Sequence, residues 1–246
     1  MKIDTHTHVL LTKTSSFDWR DVELHFDIAR AHGLHVVCLT EHLDAKDFNP
    51  LYNGIFYENK LEGHFLADGI IILANGLTIV SGAEVPLKDG GEVGLCASMD
   101  VINSLKKESG YYTLENLLKK LDKNGDEYSL IGNHLCHPKK WIKNIEKYVE
   151  FLDAIEILSK YRHLKKEYKE LADSLGKPLV SGSDSHTWVQ FGLSYTDVDI
   201  EKFTISDFKD AIRKEKFMVY MSELTETMIR ISELFRENLK IKAMRG

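Results

Sequence analysis

An α/β barrel built as a single domain is the fold class that this sequence predicts, and three observations predict it. Short apolar, β-branched runs alternate with amphipathic segments along the chain. Clusters of histidine and carboxylate follow directly after several of those runs. No second core, internal repeat or low-complexity tract interrupts the 246 residues, a length that one large domain accommodates. Repeated βα units imply a parallel sheet with both faces covered. A closed ring carries the ends of five or more strands to one rim, whereas an open sheet gathers ligands mainly at one switch point. Closure is therefore the expectation.

The elements follow in order. Lys2 to His6 reads as a strand. Ser16 to His32 reads as a helix, capped by Asp18 or Asp21, with Val22, Phe26, Ile28 and Ala29 on its apolar face and Gly33 closing it. Leu34 to Thr40 is a β-branched run that ends at His42. Leu61 to Asn75 is expected to be helical, stopped by Gly76. Leu77 to Ser81 is a strand leading to Glu84, and Glu92 to Ala97 another after the Asp89-Gly90-Gly91 turn. Thr113 to Lys123 is a helix and Tyr128 to Gly132 a strand leading to His137. Ala154 to Leu158 is a strand, His163 to Leu175 a helix ended by Gly176, and Pro178 to Val180 leads to Asp184. Phe217 to Tyr220 is a last short strand. An amphipathic helix over 222–244 carries Leu224, Met228, Ile231, Phe235 and Leu239 at spacings of three to four, a face for the barrel or for a docked partner or second copy.

Composition narrows the function classes. The chain is 43% hydrophobic and 28% charged with a net charge of −6, which argues against a surface that grips nucleic-acid backbone throughout. Cys38, Cys96 and Cys136 lie far apart without a CxxC pair; Cys38 and Cys96, inside apolar runs, are expected to be buried thiols, and the set fits a reducing cytoplasm. Met1-Lys2-Ile3-Asp4 runs straight into the first cluster without a signal-peptide pattern, and no stretch is apolar enough for a membrane span.

The clusters are His6-Thr7-His8, Thr40-Glu41-His42, Gly82-Ala83-Glu84, His137-Pro138 and Asp184-Ser185-His186. Residues two apart on a strand face the same way, so His6 with His8, and Asp184 with His186, can each offer two ligands to one point. Imidazole with carboxylate suits zinc, iron or manganese rather than calcium. No Gly-rich phosphate cradle or nucleophilic Ser/Cys elbow is visible, which leaves water as the expected nucleophile. Arg162, after the Ala154 to Leu158 strand, and Lys139-Lys140, after His137-Pro138, are positioned to hold a substrate phosphate.

Taken in order, the motifs resemble those of the PHP (polymerase and histidinol phosphatase) family. They are Asp4-Thr5-His6-Thr7-His8, Gly33-Leu34 through Leu39-Thr40-Glu41-His42, Gly82-Ala83-Glu84, His137-Pro138, Asp153-Ala154-Ile155-Glu156-Ile157 and Gly182-Ser183-Asp184-Ser185-His186. The resemblance implies a distorted (β/α)7 TIM-like barrel holding two or three divalent ions (Zn, Mn or Fe) for phosphoester hydrolysis. It assigns His6, His8, His42, Glu84, His137, Asp184 and His186 as metal ligands, with Glu84 bridging two ions and Asp184 or His186 moving a proton. Two positions depart from the family pattern. Asp18 stands nearest to the family's early acid or histidine, and equally reads as a helix N-cap. Glu92 stands where relatives carry a histidine, and equally reads as a turn residue. The implied activity is that of a phosphatase or phosphodiesterase on a small phosphorylated molecule. The alternatives are a nuclease trimming nucleic-acid ends and a non-catalytic, metal-stabilised scaffold.

Overall fold

In a computed structural model, described at every residue except 125–126, 138 and 246, eleven strands form one sheet that curls into a nearly closed barrel. The strands are β1 (Lys2–Thr7), β2 (Val36–Leu39), β3 (Gly63–Ala67), β4 (Ile70–Leu73), β5 (Thr78–Pro86), β6 (Glu92–Ala97), β7 (Tyr128–Asn133), β8 (Ala154–Leu158), β9 (Leu179–Gly182), β10 (Ser194–Val198) and β11 (Phe217–Met221). The helices are α1 (Trp19–Ala31), α2 (Phe48–Phe56), α3 (Met99–Ser104), α4 (Leu114–Asn124), α5 (Ile145–Tyr148), α6 (Lys165–Ser174), α7 (Ile205–Arg213) and α8 (Thr225–Arg245).

Seven strands are the staves, in the order β1-β2-β5-β6-β7-β8-β9. The ring closes where β9 runs back beside β1: Asp184 N–H donates to His6 O and His8 N–H to Ser185 O, both at 2.9 Å. Neighbouring staves are parallel except at β6, which is antiparallel to β5 and to β7. The all-parallel expectation fails there for a reason of chain length. Only residues 87–91 separate β5 from β6, too few for the crossover that a parallel pair needs, and Gly90 and Gly91 turn the chain at φ +98° and +79°. The reversal sets Glu92, the first residue of β6, on the rim where the other staves end. A fully parallel ring would have buried it at the opposite end.

The helix expected over Leu61 to Asn75 is instead the β3–β4 hairpin, which pairs along β5. Its turn is Asp68-Gly69, with Gly69 at φ +76°, and the Ile70-Ile71-Ile72-Leu73 run prefers extended backbone. Helix α1 begins and ends as its caps direct: the Asp18 carboxylate accepts from Arg20 N–H at 2.8 Å, and Gly33 leaves the helix at φ +84°.

Two apolar layers hold the barrel. Phe26, Leu34, Val37, Leu39, Phe48, Tyr52, Ile79 and Leu95 are among the residues that pack the helices against the staves. A second cluster unites Ile3, Val36, Cys38, Val80, Cys96, Ile131 and Val180 with Phe203, Phe208 and Ile212 on and around α7. Cys38 and Cys96 are free and buried within it. Helix α8 packs through Thr225, Ser232, Phe235 and Arg236, while Leu224 and Ile231 of the expected stripe are exposed. Among the described residues no helix is long and apolar enough to cross a membrane.

Candidate metal centre

Every stave but the reversed one delivers its chemistry just at or beyond its C-terminal end. Strand β1 ends at His6-Thr7 with His8 next, β2 is followed by Glu41 and His42, and β5 carries Glu84. Strand β7 is followed by His134, β8 by Lys160, and β9 by Asp184 and His186. Buried Tyr52 of α2 fixes one of these ends: its hydroxyl lies 2.7 Å from Leu39 O and 2.8 Å from Gly82 O and accepts from Glu41 N–H at 3.2 Å.

Glu84 is the hub, almost wholly buried. Its Oε1 lies 2.9 Å from His134 Nε2 and 3.6 Å from His6 Nε2. Its Oε2 lies 2.7 Å from His42 Nδ1 and 3.7 Å from His8 Nε2. Asp184 Oδ1 faces the same space, 3.3 Å from His8 Nε2, 3.6 Å from His6 Nε2 and 3.8 Å from His186 Nε2. Glu92 Oε2 is 3.7 Å from His134 Nε2. Four overlapping triads converge closely enough to share an ion: His8–His42–His186, His6–His134–Asp184, His6–His8–Glu84 and Glu84–Glu92–His134.

The outer ring of contacts fixes which nitrogen faces inward. His6 Nδ1 is 2.8 Å from Glu156 Oε2 and His8 Nδ1 is 3.2 Å from Glu41 Oε2. A carboxylate can only accept, so each Nδ1 carries the proton and each Nε2 presents a lone pair. Those two Nε2 atoms stand 3.0 Å apart. Two lone pairs at that separation require a cation, or protons, between or beside them. His186 is set the same way, its Nδ1 donating to Leu10 O at 3.1 Å.

The electrostatics agree. Burial works against charge at every one of these groups. At His6 the carboxylates of Glu156 and Glu84 overcome it and raise the pKa well above its ordinary value. At His8, Asp184 and Glu41 overcome it and raise the pKa to about 9. Against the same burial, His6, His134 and His42 hold Glu84 well below the carboxylate range, and Lys160 and His8 do so for Asp184. Burial and the neighbouring Glu84 push Glu92 up, and burial and His8 push His186 down. Burial also lifts Asp4 to about 7; one oxygen accepts from Ser183 N–H at 2.8 Å and His6 N–H at 3.3 Å. Ionised carboxylates crowd histidines that take up protons: the site demands positive charge.

That demand fits divalent metal. Glu84 Oε2 and His42 Nδ1 are buried 2.7 Å apart without hydrogen-bond geometry, and buried Glu92 Oε2 makes no hydrogen bond, an arrangement that costs free energy and that a cation would satisfy. The donor set, imidazole nitrogen with carboxylate oxygen, suits zinc, manganese or iron.

Seven sequence candidates therefore meet: His6, His8, His42, Glu84, Glu92, Asp184 and His186. Asp18 does not; it is exposed and caps α1. His137 stays outside the triads, its Nδ1 accepting from Lys139 N–H and its ring 6.1 Å from Tyr161, and Pro138 of that motif lies outside the described residues. His134 takes the inward place. Extended backbone through Cys136 would have turned it away, but β7 ends at Asn133 and His134 adopts φ +55°, which breaks the alternation. Asp184 is likewise left-handed, at φ +50°, a strained state for a non-glycine residue that surrounding structure must enforce. Of the expected phosphate cations, Lys140 reaches the site by pairing with Glu92, while exposed Lys139 makes no contact there. Arg162 faces the groove beside α8 with His163 and Glu226. Lys160, two residues earlier, pairs with Asp184 instead. Its signal in the sequence was its position directly after a stave.

No functionally curated protein matches the chain in sequence. Residues 165–217 match the family model described as PHP-associated. The crystal structure of PsfC from Pseudomonas syringae PB-5123 superposes with a TM-score of 0.87 at 27% identity, covering 97% of this chain and 98% of that one. The lesion-specific endonuclease PfuEndoQ from Pyrococcus furiosus shares the fold at a TM-score of 0.58 and 17% identity, over 89% of this chain and 57% of that protein. Endonuclease Q bound to a 27-mer duplex with an abasic lesion matches equally, at a TM-score of 0.58 and 15% identity, over 87% of this chain and 56% of that one.

Proposed function

We propose that the chain is a PHP-family protein, as the PHP-associated match over residues 165–217 supports, and that it hydrolyses a phosphoester of a small molecule, with water as nucleophile and two or three divalent ions held on the barrel rim. The observation that carries this reading is the pair of carboxylate-backed imidazoles, His6 and His8, whose Nε2 atoms face each other 3.0 Å apart beside Glu84 and Asp184. Bound divalent ions at such a site acidify water and neutralise charge on phosphoryl oxygens.

The chain's residues supply the rest. Glu84 belongs to two triads, so it would help to hold metal in both. Glu41 and Glu156 keep His8 and His6 in the ligating tautomer. Asp184 and His186 both stand at the cluster, and whichever of them is not engaged by an ion would be in position to move a proton. Lys160 and Lys140 approach from opposite neighbours of the cluster, each on a carboxylate of the site. Both ammonium groups are placed where they would hold phosphate oxygens of a bound substrate. The acidic net charge of −6 favours a small substrate over a nucleic-acid strand.

The test is a panel of phosphomonoesters, phosphodiesters and single-stranded oligonucleotides, assayed with manganese or zinc and again in chelator. Hydrolysis of a small phosphoester, lost in chelator and restored by metal, is the expected result. Turnover that persists in chelator contradicts the reading. Cleavage confined to oligonucleotides, with binding that weakens steeply as salt rises, would make the chain a nuclease instead.

A further inference from the structure

We infer that Arg236, on the C-terminal helix α8, is a positioning residue of the metal centre: it clamps the Val9–Leu11 segment that orients both His8 and His186. This rests on the metal-centre reading above and extends it to an element outside the barrel and beyond the matched residues 165–217.

The Arg236 guanidinium donates through Nε at 3.1 Å and Nη2 at 2.7 Å to one acceptor, Leu11 O. One residue earlier, Leu10 O accepts from His186 Nδ1 at 3.1 Å. The amides of the same segment are also engaged: Val9 N–H and Leu10 N–H donate to Glu41 Oε1 at 2.6 and 2.9 Å. The other oxygen of that carboxylate backs His8 Nδ1. Three residues thus connect the holder of His8 to the holder of His186, and the two rings stack at 4.4 Å with 8° between their planes. Arg236 fixes the free end of this connection.

Helix α8 grips the other side of His186 as well. Thr187 Oγ1 and Ser232 Oγ are hydrogen-bonded at 2.8 Å in a buried contact, and the Trp188 and Phe235 rings meet edge to face at 5.4 Å. The residues after His186 and the carbonyl before which its ring is set are therefore both anchored on one turn of one helix. A bidentate guanidinium holds a carbonyl in direction as well as distance, which an ammonium or a neutral side chain cannot reproduce. Without it, the segment from Val9 to Leu11 loses the contact that sets its far end, and the His186 ring loses its fixed aim. Removal of a group that orients a ligand typically costs about 10–100-fold in metal affinity.

The test compares full-length wild type with Arg236→Met, which keeps the apolar stem, Arg236→Lys, which keeps the charge, and Glu233→Gln on the exposed face of α8. Each is titrated with cobalt(II), whose visible spectrum reports ligand geometry, and with zinc by calorimetry; thermal melting in chelator reports the fold. Arg236→Met is expected to bind its weakest ion about 10-fold or more less tightly, with an altered cobalt spectrum and a melting temperature close to wild type in chelator. Glu233→Gln should match wild type throughout. If Arg236→Met fails to fold, Arg236→Lys carries the test, with an affinity loss of about 3-fold or more, because one ammonium replaces a two-pronged donor. Wild-type isotherms and spectra in the folded Arg236 variants overturn the inference while leaving the metal centre intact. A wild-type chain that takes up no divalent ion overturns the metal centre, and the inference with it.

Discussion

Replacing Glu84 with Gln is expected to lower hydrolysis by about 10³-fold or more and to remove at least one bound ion. Loss of one preorganised electrostatic group at a reacting centre costs about 10²–10³-fold, and Glu84 belongs to two of the candidate ligand triads. The amide keeps the volume and forfeits the charge that His6, His42 and His134 surround. Initial rates beside metal content measure both effects. A Glu84→Gln chain with wild-type rate and full occupancy would remove Glu84 from the chemistry.

The same variant carries a stability signature in chelator. Glu84 is held well below its ordinary pKa in the folded chain, so its contribution is present above the unfolded carboxylate value of about 4.3 and is lost as pH falls through the folded value. Removing one member of such a buried ion cluster costs about 3–5 kcal/mol. The stability gap between wild type and Glu84→Gln should therefore be full at neutral pH and shrink on strong acidification.

The second large effect is expected from Gly182→Ala, a change of one methyl group at the seam of the barrel. A Cβ there would stand 2.5 Å from Glu156 Oε1, 2.7 Å from His6 Cβ and 2.8 Å from His6 N. Two of those atoms belong to the stave beside it, so the clash cannot be relieved by swinging one flexible side chain away. Overpacking of this kind costs about 1–3 kcal/mol, which for a domain of this size lowers the melting temperature by about 2–12 °C. The displaced group is also the carboxylate that sets the His6 tautomer, so metal affinity should fall with stability. Thermal melting with and without zinc checks both; unchanged melting and affinity would show that β9 and β1 do not meet as closely as described.

Much of this was legible in the sequence because strand ends and ligands coincide. A β-branched run followed at once by His or Glu gives both the stave and its chemistry, which is how His6, His8, His42, Glu84 and Asp184 could be read. What failed did so where backbone left the periodic states. His134 points inward only because its φ is positive, and no pattern of alternation could reveal that. The β3–β4 hairpin hid behind an apolar run of 4 residues, Ile70–Leu73, whose Asp68-Gly69 turn carried the correct signal. Glu41 and Glu156 stand inside recognised motifs, yet their role lies in hydrogen bonds to Nδ1 atoms 33 and 150 residues away in sequence. Arg236 is more distant still, 225 residues from the carbonyl it holds. Such contacts depend on ring closure, which brings the first strand against the last stave, and that juxtaposition has no local signature.

Anomalous diffraction from crystals grown with manganese or zinc, collected at the absorption edge of the added metal, tests the central claim most directly. Two or three peaks are expected on the C-terminal rim, one about 2.0–2.2 Å from the Nε2 atoms of His6 and His8 and from a Glu84 oxygen. A rim without anomalous density, or peaks confined to surface residues away from Glu84, would contradict it.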